Sequence, residues 1–131
     1  MNVKRMIVTM LLLLTVAGPA SALAPSWYWL LQDAQTGIQL YVDNNNVYKS
    51  QDYAVVWTKM LYPSGKYMLC QFKLYRRGYA DLMFISTRDA QGHTIRDIHP
   101  GPNGQHMTIV PGTRLDALYY ACYGTSPSNN Y

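Results

Sequence analysis

The sequence predicts an α+β fold: an antiparallel β-meander of about six strands with one C-terminal helix packed on one face. Three observations lead there. Short apolar and aromatic runs, each bounded by Gly, Pro, Asn or Asp, fill most of residues 27–110. The apolar period switches to that of a helix only after Pro111 and Gly112. And two cysteines fall on apolar faces, one in a strand and one in that helix.

The elements follow in order. Trp27–Leu31 is an aromatic-rich strand after Pro25. Ile38–Val42 alternates apolar and polar after Gly37, and Asp43 to Asn46 are turn formers. Tyr53–Tyr62 carries the strongest strand signal, with Val55, Val56, Trp57 and Thr58 in succession. Pro63, Ser64, Gly65 and Lys66 close a hairpin into Tyr67–Tyr75. Tyr79–Thr87 follows, then a turn at Asp89–Gly92 and a strand at His93–Ile98. His99 to Gly104 must be loop, and Met107–Val110 is a last short strand. Thr113 with Asp116 makes a capping-box-like helix start, Leu115, Leu118, Tyr119 and Cys122 recur at helical spacing, and Gly124 is the stop. The tail from Thr125 to Tyr131 is polar and expected to fray.

On Tyr67–Tyr75, one period-two face carries Met68, Cys70, Phe72 and Leu74, and the other carries Tyr67, Leu69, Gln71, Lys73 and Tyr75. Both cysteines then point at one buried layer. If Tyr62 pairs with Tyr67, Trp57 and Leu61 join that layer; a one-residue slip reverses the assignment.

Composition narrows the function. With 131 residues the chain allows one domain of ordinary size. Charged residues are 14% and apolar ones 49%, which excludes intrinsic disorder. All seven acidic residues are Asp, so a Glu base, a zinc site with a Glu ligand and an EF-hand closed by Glu are excluded.

The first residues read as an address. Lys4 and Arg5 precede an apolar run, Met6–Ala17, and the small triplet Ala20, Ser21, Ala22. This is the pattern of a secretory signal peptide over 1–22, cut after Ala22; the run falls short of the roughly 20 residues a bilayer span needs. The organisation is therefore a signal at 1–22, one domain at 23–124 and a flexible tail at 125–131. Losing Lys4 and Arg5 lowers the net charge from +4 to +2. The remaining cations form no nucleic-acid stripe, and Arg76–Arg77, their only adjacent pair, reads as a solvated turn. Export to the periplasm or cell surface is expected, with no nucleic-acid partner and no membrane anchor after cleavage.

An exported chain meets an oxidising compartment, where a lone pair of cysteines usually closes one bridge. A Cys70–Cys122 disulfide would enclose about 50 residues and contribute roughly 4 kcal/mol. The alternatives are a catalytic thiol or a metal ligand, but neither cysteine sits in C-x-x-C and no His lies near either in sequence.

Four segments carry a family resemblance: YVDNNNV (Tyr41–Val47), VVWTKMLYP (Val55–Pro63), RDAQGHTI (Arg88–Ile95) and IVPGTRLDALYYAC (Ile109–Cys122). Their order and spacing resemble the surface-adhesin protein E family along the whole mature chain. The resemblance implies a curved antiparallel sheet with an inward Trp strand and a C-terminal helix tied to the concave side by a disulfide. It also implies binding of host matrix and serum glycoproteins, with no catalytic residues to carry over. This chain departs from the lipid-anchored adhesin in having no Cys near the cleavage site, and the stretch Lys66–Tyr79 aligns loosely.

Chemistry-bearing constellations are sparse. His93, His99 and His106 are spaced unlike any compact zinc motif, so they read as loop histidines and no metal or other cofactor is expected. No G-x-S-x-G elbow and no Gly-rich phosphate cradle occur, so no enzyme activity is expected. Tyr67, Tyr75 and Lys73, on the face opposite the cysteines, are the candidate binding residues, because Tyr offers wide contact at low entropic cost. The competing reading is a half-exposed sheet face, since Tyr favours strands anyway. An exposed aromatic face would make a protein, glycoprotein or homodimer contact its natural use. The sequence thus points to an exported binding module. The alternative is a periplasmic structural or inhibitor-type protein, although a +2 chain without an acidic patch suits a basic lysozyme poorly.

Overall fold

The computed structural model describes residues 23–101 and 104–127. The signal expected at 1–22 and the last four residues of the tail lie outside the described residues. The strands are β1 (Trp27–Gln32), β2 (Gln39–Asp43), β3 (Tyr48–Lys49), β4 (Tyr53–Leu61), β5 (Tyr67–Tyr75), β6 (Tyr79–Arg88), β7 (Thr94–Ile98) and β8 (Gln105–Thr108), followed by α1 (Arg114–Tyr123). They form one antiparallel sheet in the order β1-β2-β4-β5-β6-β7, with β3 also on β4 and β8 also on β6. This is the expected α+β meander with one helix on one face. The long strands β4, β5 and β6 make its centre. Each outer neighbour is a broken strand: β2 and β3 share one edge of β4, and β7 and β8 share one edge of β6.

The breaks fall where the sequence interrupts strand pairing. Between β2 and β3, buried Asp43 accepts from the backbone N–H groups of Ser26 (3.0 Å) and Asn45 (2.9 Å) and from the Asn46 side chain (2.7 Å). The turn is thereby sewn to the segment leading into β1. Between β7 and β8, Gly104 comes so close to β6 that a Cβ there would lie 2.5 Å from the Leu82 carbonyl oxygen.

Three hairpins close in the same way. Gly65 N–H donates to Tyr62 (2.9 Å), Gly78 N–H to Tyr75 (2.9 Å) and Gly92 N–H to Asp89 (3.0 Å). In each, the third loop residue is a glycine at positive φ: +91°, +100° and +89°. This is the three-residue loop with a left-handed glycine that matches strand twist. It corrects the first hairpin. Leu61, not Tyr62, pairs with Tyr67, because the loop holds three residues rather than four. Trp57 and Leu61 therefore lie on the face away from the helix, where the Trp57 ring meets Phe84 edge-on at 5.7 Å.

The face beneath α1 is the core. Leu40, Val42, Val56, Cys70, Phe72, Leu74, Ala80 and Leu82 pack there with Ile109, Leu118 and Tyr119. Two tyrosines peg the helix to the end of β5. Buried Tyr119 donates its hydroxyl to the Arg76 carbonyl (2.6 Å), and Tyr123 donates to that of Leu74 (3.2 Å). The helix ends as expected: Thr113 accepts from Asp116 N–H (3.4 Å), and Gly124 stops it at φ +71°. Its last turn has no basic residue, but Lys49 reaches from β3 to the Cys122 carbonyl (2.6 Å), a cation where the helix dipole favours one. The packed body continues past Gly124, since Pro127 is buried.

The expected Cys70–Cys122 bridge is not formed; both thiols are free. The tyrosine pegs explain why. They hold the C-terminal turn of α1 near Leu74 and Arg76, and Cys70 lies four residues, about 13 Å, back along the strand from Leu74. Cys70 is buried beside Thr58, whereas Cys122 sits near Lys49. Burial pushes each thiol up to about 11.

Two outcomes follow. Native protein should react slowly with a thiol reagent, and both thiols should titrate once it is denatured. A raised folded pKa stabilises below the unfolded value and is lost as pH rises through the folded one, so stability should fall between about pH 9 and pH 11. In urea melts across that range, the Cys70→Ala/Cys122→Ala variant should show a shallower fall. Separately, Gly104→Ala should cost more than about 2 kcal/mol in urea unfolding, against about 1 for Gly65→Ala, because only the former meets backbone at such short range.

Candidate functional site

The register places Tyr67, Lys73 and Tyr75 on the outer face, as the strand pattern requires. All three are half-buried and occupied within the chain. The Lys73 ammonium lies over the rings of Tyr53 (4.3 Å) and Tyr75 (5.1 Å). Tyr67 is one wall of a cage of three rings around Lys59, with Trp27 at 5.1 Å, Tyr41 at 5.2 Å and Tyr67 itself at 5.6 Å. Burial holds the Lys59 amine below its usual range. The cage ties β1, β2, β4 and β5 together across the sheet. It is a structural clamp rather than an open contact surface.

Of the three, Tyr75 lines a cavity. Its hydroxyl donates to Asp81 Oδ2 (2.8 Å), and His106 Nδ1 meets Asp81 Oδ1 at 2.7 Å. Register explains the grouping: Lys73, Asp81 and His106 stand directly opposite one another on β5, β6 and β8. Asp81 is 7% exposed, and these two partners compensate its burial. Tyr75 and His106 then line a space of about 700 Å³ at the β5–β6 turn, together with Tyr79, Arg76, Arg77 and Asp52. Tyr79 and His106 stack with centroids 5.3 Å apart. Sequence reasoning missed Asp81 and His106. They are 25 residues apart, and β8 begins at Gln105 rather than at Met107, so their meeting became visible only with the pairing of β8.

A second cleft lies on the opposite face, between α1 and the inner side of β1 and β2. It measures about 850 Å³. A bulge between Trp29 and Leu31 turns both Leu30 and Leu31 into this cleft beside Tyr28. Across from them runs one flank of the helix, Thr113, Asp116, Ala117, Tyr120 and Ala121. Alanines at the middle of that flank leave β1 uncovered. The lips are aromatic, with Tyr28 56% and Tyr120 58% exposed. Asp116 Oδ2 accepts from Gly112 N–H (2.9 Å), while its Oδ1 is buried with no hydrogen-bond partner among the described residues. Tyr120 was overlooked because Tyr119 beside it satisfied the helical pattern. The signal for it was an aromatic residue on the polar side of the wheel.

The other histidines lie apart. His93 pairs with Asp89 (3.2 Å) at a hairpin tip, where the His93 backbone N–H chiefly holds the Asp89 carboxyl below its usual range. The ring of His99 packs on Phe84 at 4.7 Å. Among the described residues no cluster of His, Cys or Asp is placed to hold a metal ion, and no helix is long and apolar enough to cross a membrane. Comparisons with family models, curated proteins and solved structures find no match for this chain.

Tyr75→Phe should cost about 1.5–3 kcal/mol in urea unfolding, because it strips a hydrogen bond from a buried carboxylate. Tyr67→Phe keeps its ring over Lys59 and should cost less than about 0.5.

Proposed function

We propose that this protein is an exported, non-enzymatic binding module, resembling surface-adhesin protein E in its segments, that grips a partner protein or glycoprotein in the cleft between α1 and β1. The observation that supports it is the cleft itself. Its size suits a bound side-chain cluster, its walls are mostly apolar, and two exposed tyrosines stand at its lips. Such rings are costly to leave in water and are the side chains that anchor interfaces. A partner segment that presents an apolar side chain to the cleft would cover them. Catalysis draws no comparable support, since no nucleophile stands beside the Asp81–His106 pair among the described contacts.

The test has two parts. Protease added to intact cells, beside a permeabilised control, should digest the native protein if it is displayed outside. Protection until permeabilisation would move the partner into the envelope, to a structural or inhibitor role. Crosslinking in the matching compartment should then yield an adduct with the wild-type chain and at least tenfold less with Tyr120→Arg, a surface substitution that fills the cleft. Equal capture by both chains would exclude the cleft.

A further inference from the structure

The geometry points to the cavity at the β5–β6 turn as a binding site for an acidic sugar, a carboxylated monosaccharide presented on a glycan. This goes beyond the reading above and holds whatever the α1 cleft binds. Three features carry it. The first is order. One buried carboxylate, Asp81, fixes two cavity-lining side chains at once, taking the Tyr75 hydroxyl on one oxygen and His106 Nδ1 on the other. A carboxylate oxygen accepts, so the imidazole carries its proton on Nδ1, and Nε2 has no partner among the described residues on a largely exposed side chain. A supporting carboxylate behind a histidine is the device that presets a ring for a ligand.

The second feature is the ring wall. Tyr79, 41% exposed and stacked on His106, offers a flat face to the C–H side of a pyranose. The third is the charge arrangement. Arg76 is committed: its Nε donates to the Gln51 carbonyl (3.0 Å) and its guanidinium lies 4.5 Å over the Tyr123 ring. Arg77, beside it at the turn, is exposed and has no hydrogen bond or ion pair among the described residues. A free guanidinium fork matches one carboxylate. The remaining polar groups, Asp52, Gln51 and His106 Nε2, are acceptors or mixed groups suited to hydroxyls. Asp52, which lines the same cavity, adds a negative charge that disfavours a multiply charged ligand such as phosphate or nucleic acid. One carboxylate, several hydroxyls and an apolar ring face describe an acidic sugar.

The experiment is an NMR titration of the mature chain, following amide and imidazole signals, with sialyllactose, glucuronic acid, lactose and inorganic sulfate as separate probes. The expected result is saturable binding of both carboxylated sugars, with shifts centred on Arg77, Tyr79 and His106. Lactose should bind at least tenfold more weakly, and Arg77→Ala should weaken the acidic sugars at least tenfold. Tyr120→Arg, in the other cleft, should leave the titration unchanged. No binding of either acidic sugar would overturn the assignment. So would equal binding of lactose, sulfate binding as tight as the sugars through the same residues, or an unaltered titration of Arg77→Ala.

Discussion

Register governs this molecule, and three glycines at positive φ set it. Gly65, Gly78 and Gly92 each close a three-residue loop, so β4, β5, β6 and β7 are paired by turn geometry before any side chain is consulted. Because side chains alternate along a strand, a fourth residue in any of these loops would exchange the two faces. Cys70 would leave the core, and Lys73 and Asp81 would no longer share a side. The bulge at Met83 applies the same rule in the opposite sense. It adds a residue to β6 so that Asp81 and Phe84, three apart, both remain on the outer face. The tips also pack on one another: a Cβ on Gly65 would meet Ala90, and one on Gly37 would meet Pro63, each at 3.0 Å. One end of the sheet is thus built on residues without side chains.

From that register the helix position follows. The carbonyls of Leu74 and Arg76, at the end of β5, accept from Tyr123 and Tyr119. At the other end of the helix, Arg114 reaches Asp33 (3.4 Å) in the β1–β2 turn. That exposed ion pair adds little energy, but it orients the helix along the sheet. The helix packs into the core of the inner face, and a cleft remains between it and β1. The α1–β1 cleft is the remainder of that arrangement, a sheet wider than one ten-residue helix can shelter.

Much of this was legible in the sequence. Local signals located the six principal strands within about two residues at each end, and the helix with both its caps, because period-two runs, Gly-closed turns and a Thr-x-x-Asp start each act over a few residues. Two short strands behaved differently. β3 is only Tyr48–Lys49, too short to show a period, and β8 begins two residues before its apolar pair because pairing with β6, not hydrophobicity, defines it. The disulfide expectation failed at a similar distance. Two cysteines on apolar faces share a layer, but where each falls along that layer depends on tyrosines 43 and 49 residues away in sequence from the carbonyls they bind. The Asp81–His106 pair was hidden for the same reason. The fold's local grammar could be read directly, while contacts made through the third dimension had no sequence signal of their own.

Besides the hydroxyl pegs, the tyrosine rings serve two further uses. Lys49, Lys59, Lys73 and Arg76 each lie over a tyrosine ring, Lys59 over tryptophan as well. Attraction to a ring face is worth about 0.5–2 kcal/mol, so these pairs cement the strands and hold the cations against the sheet. A net charge of +4 favours polyanions in general, yet four of the sheet's and turns' cations are held against rings. Recognition by such a surface must depend on shape and on the rings that remain uncovered. Tyr28 and Tyr120 border the inner cleft, and Tyr79 borders the outer cavity beside the one arginine of the turn that has no ring to rest on. The two sets are therefore complementary: the former hold cations against the sheet, and the latter leave aromatic faces open at two defined hollows.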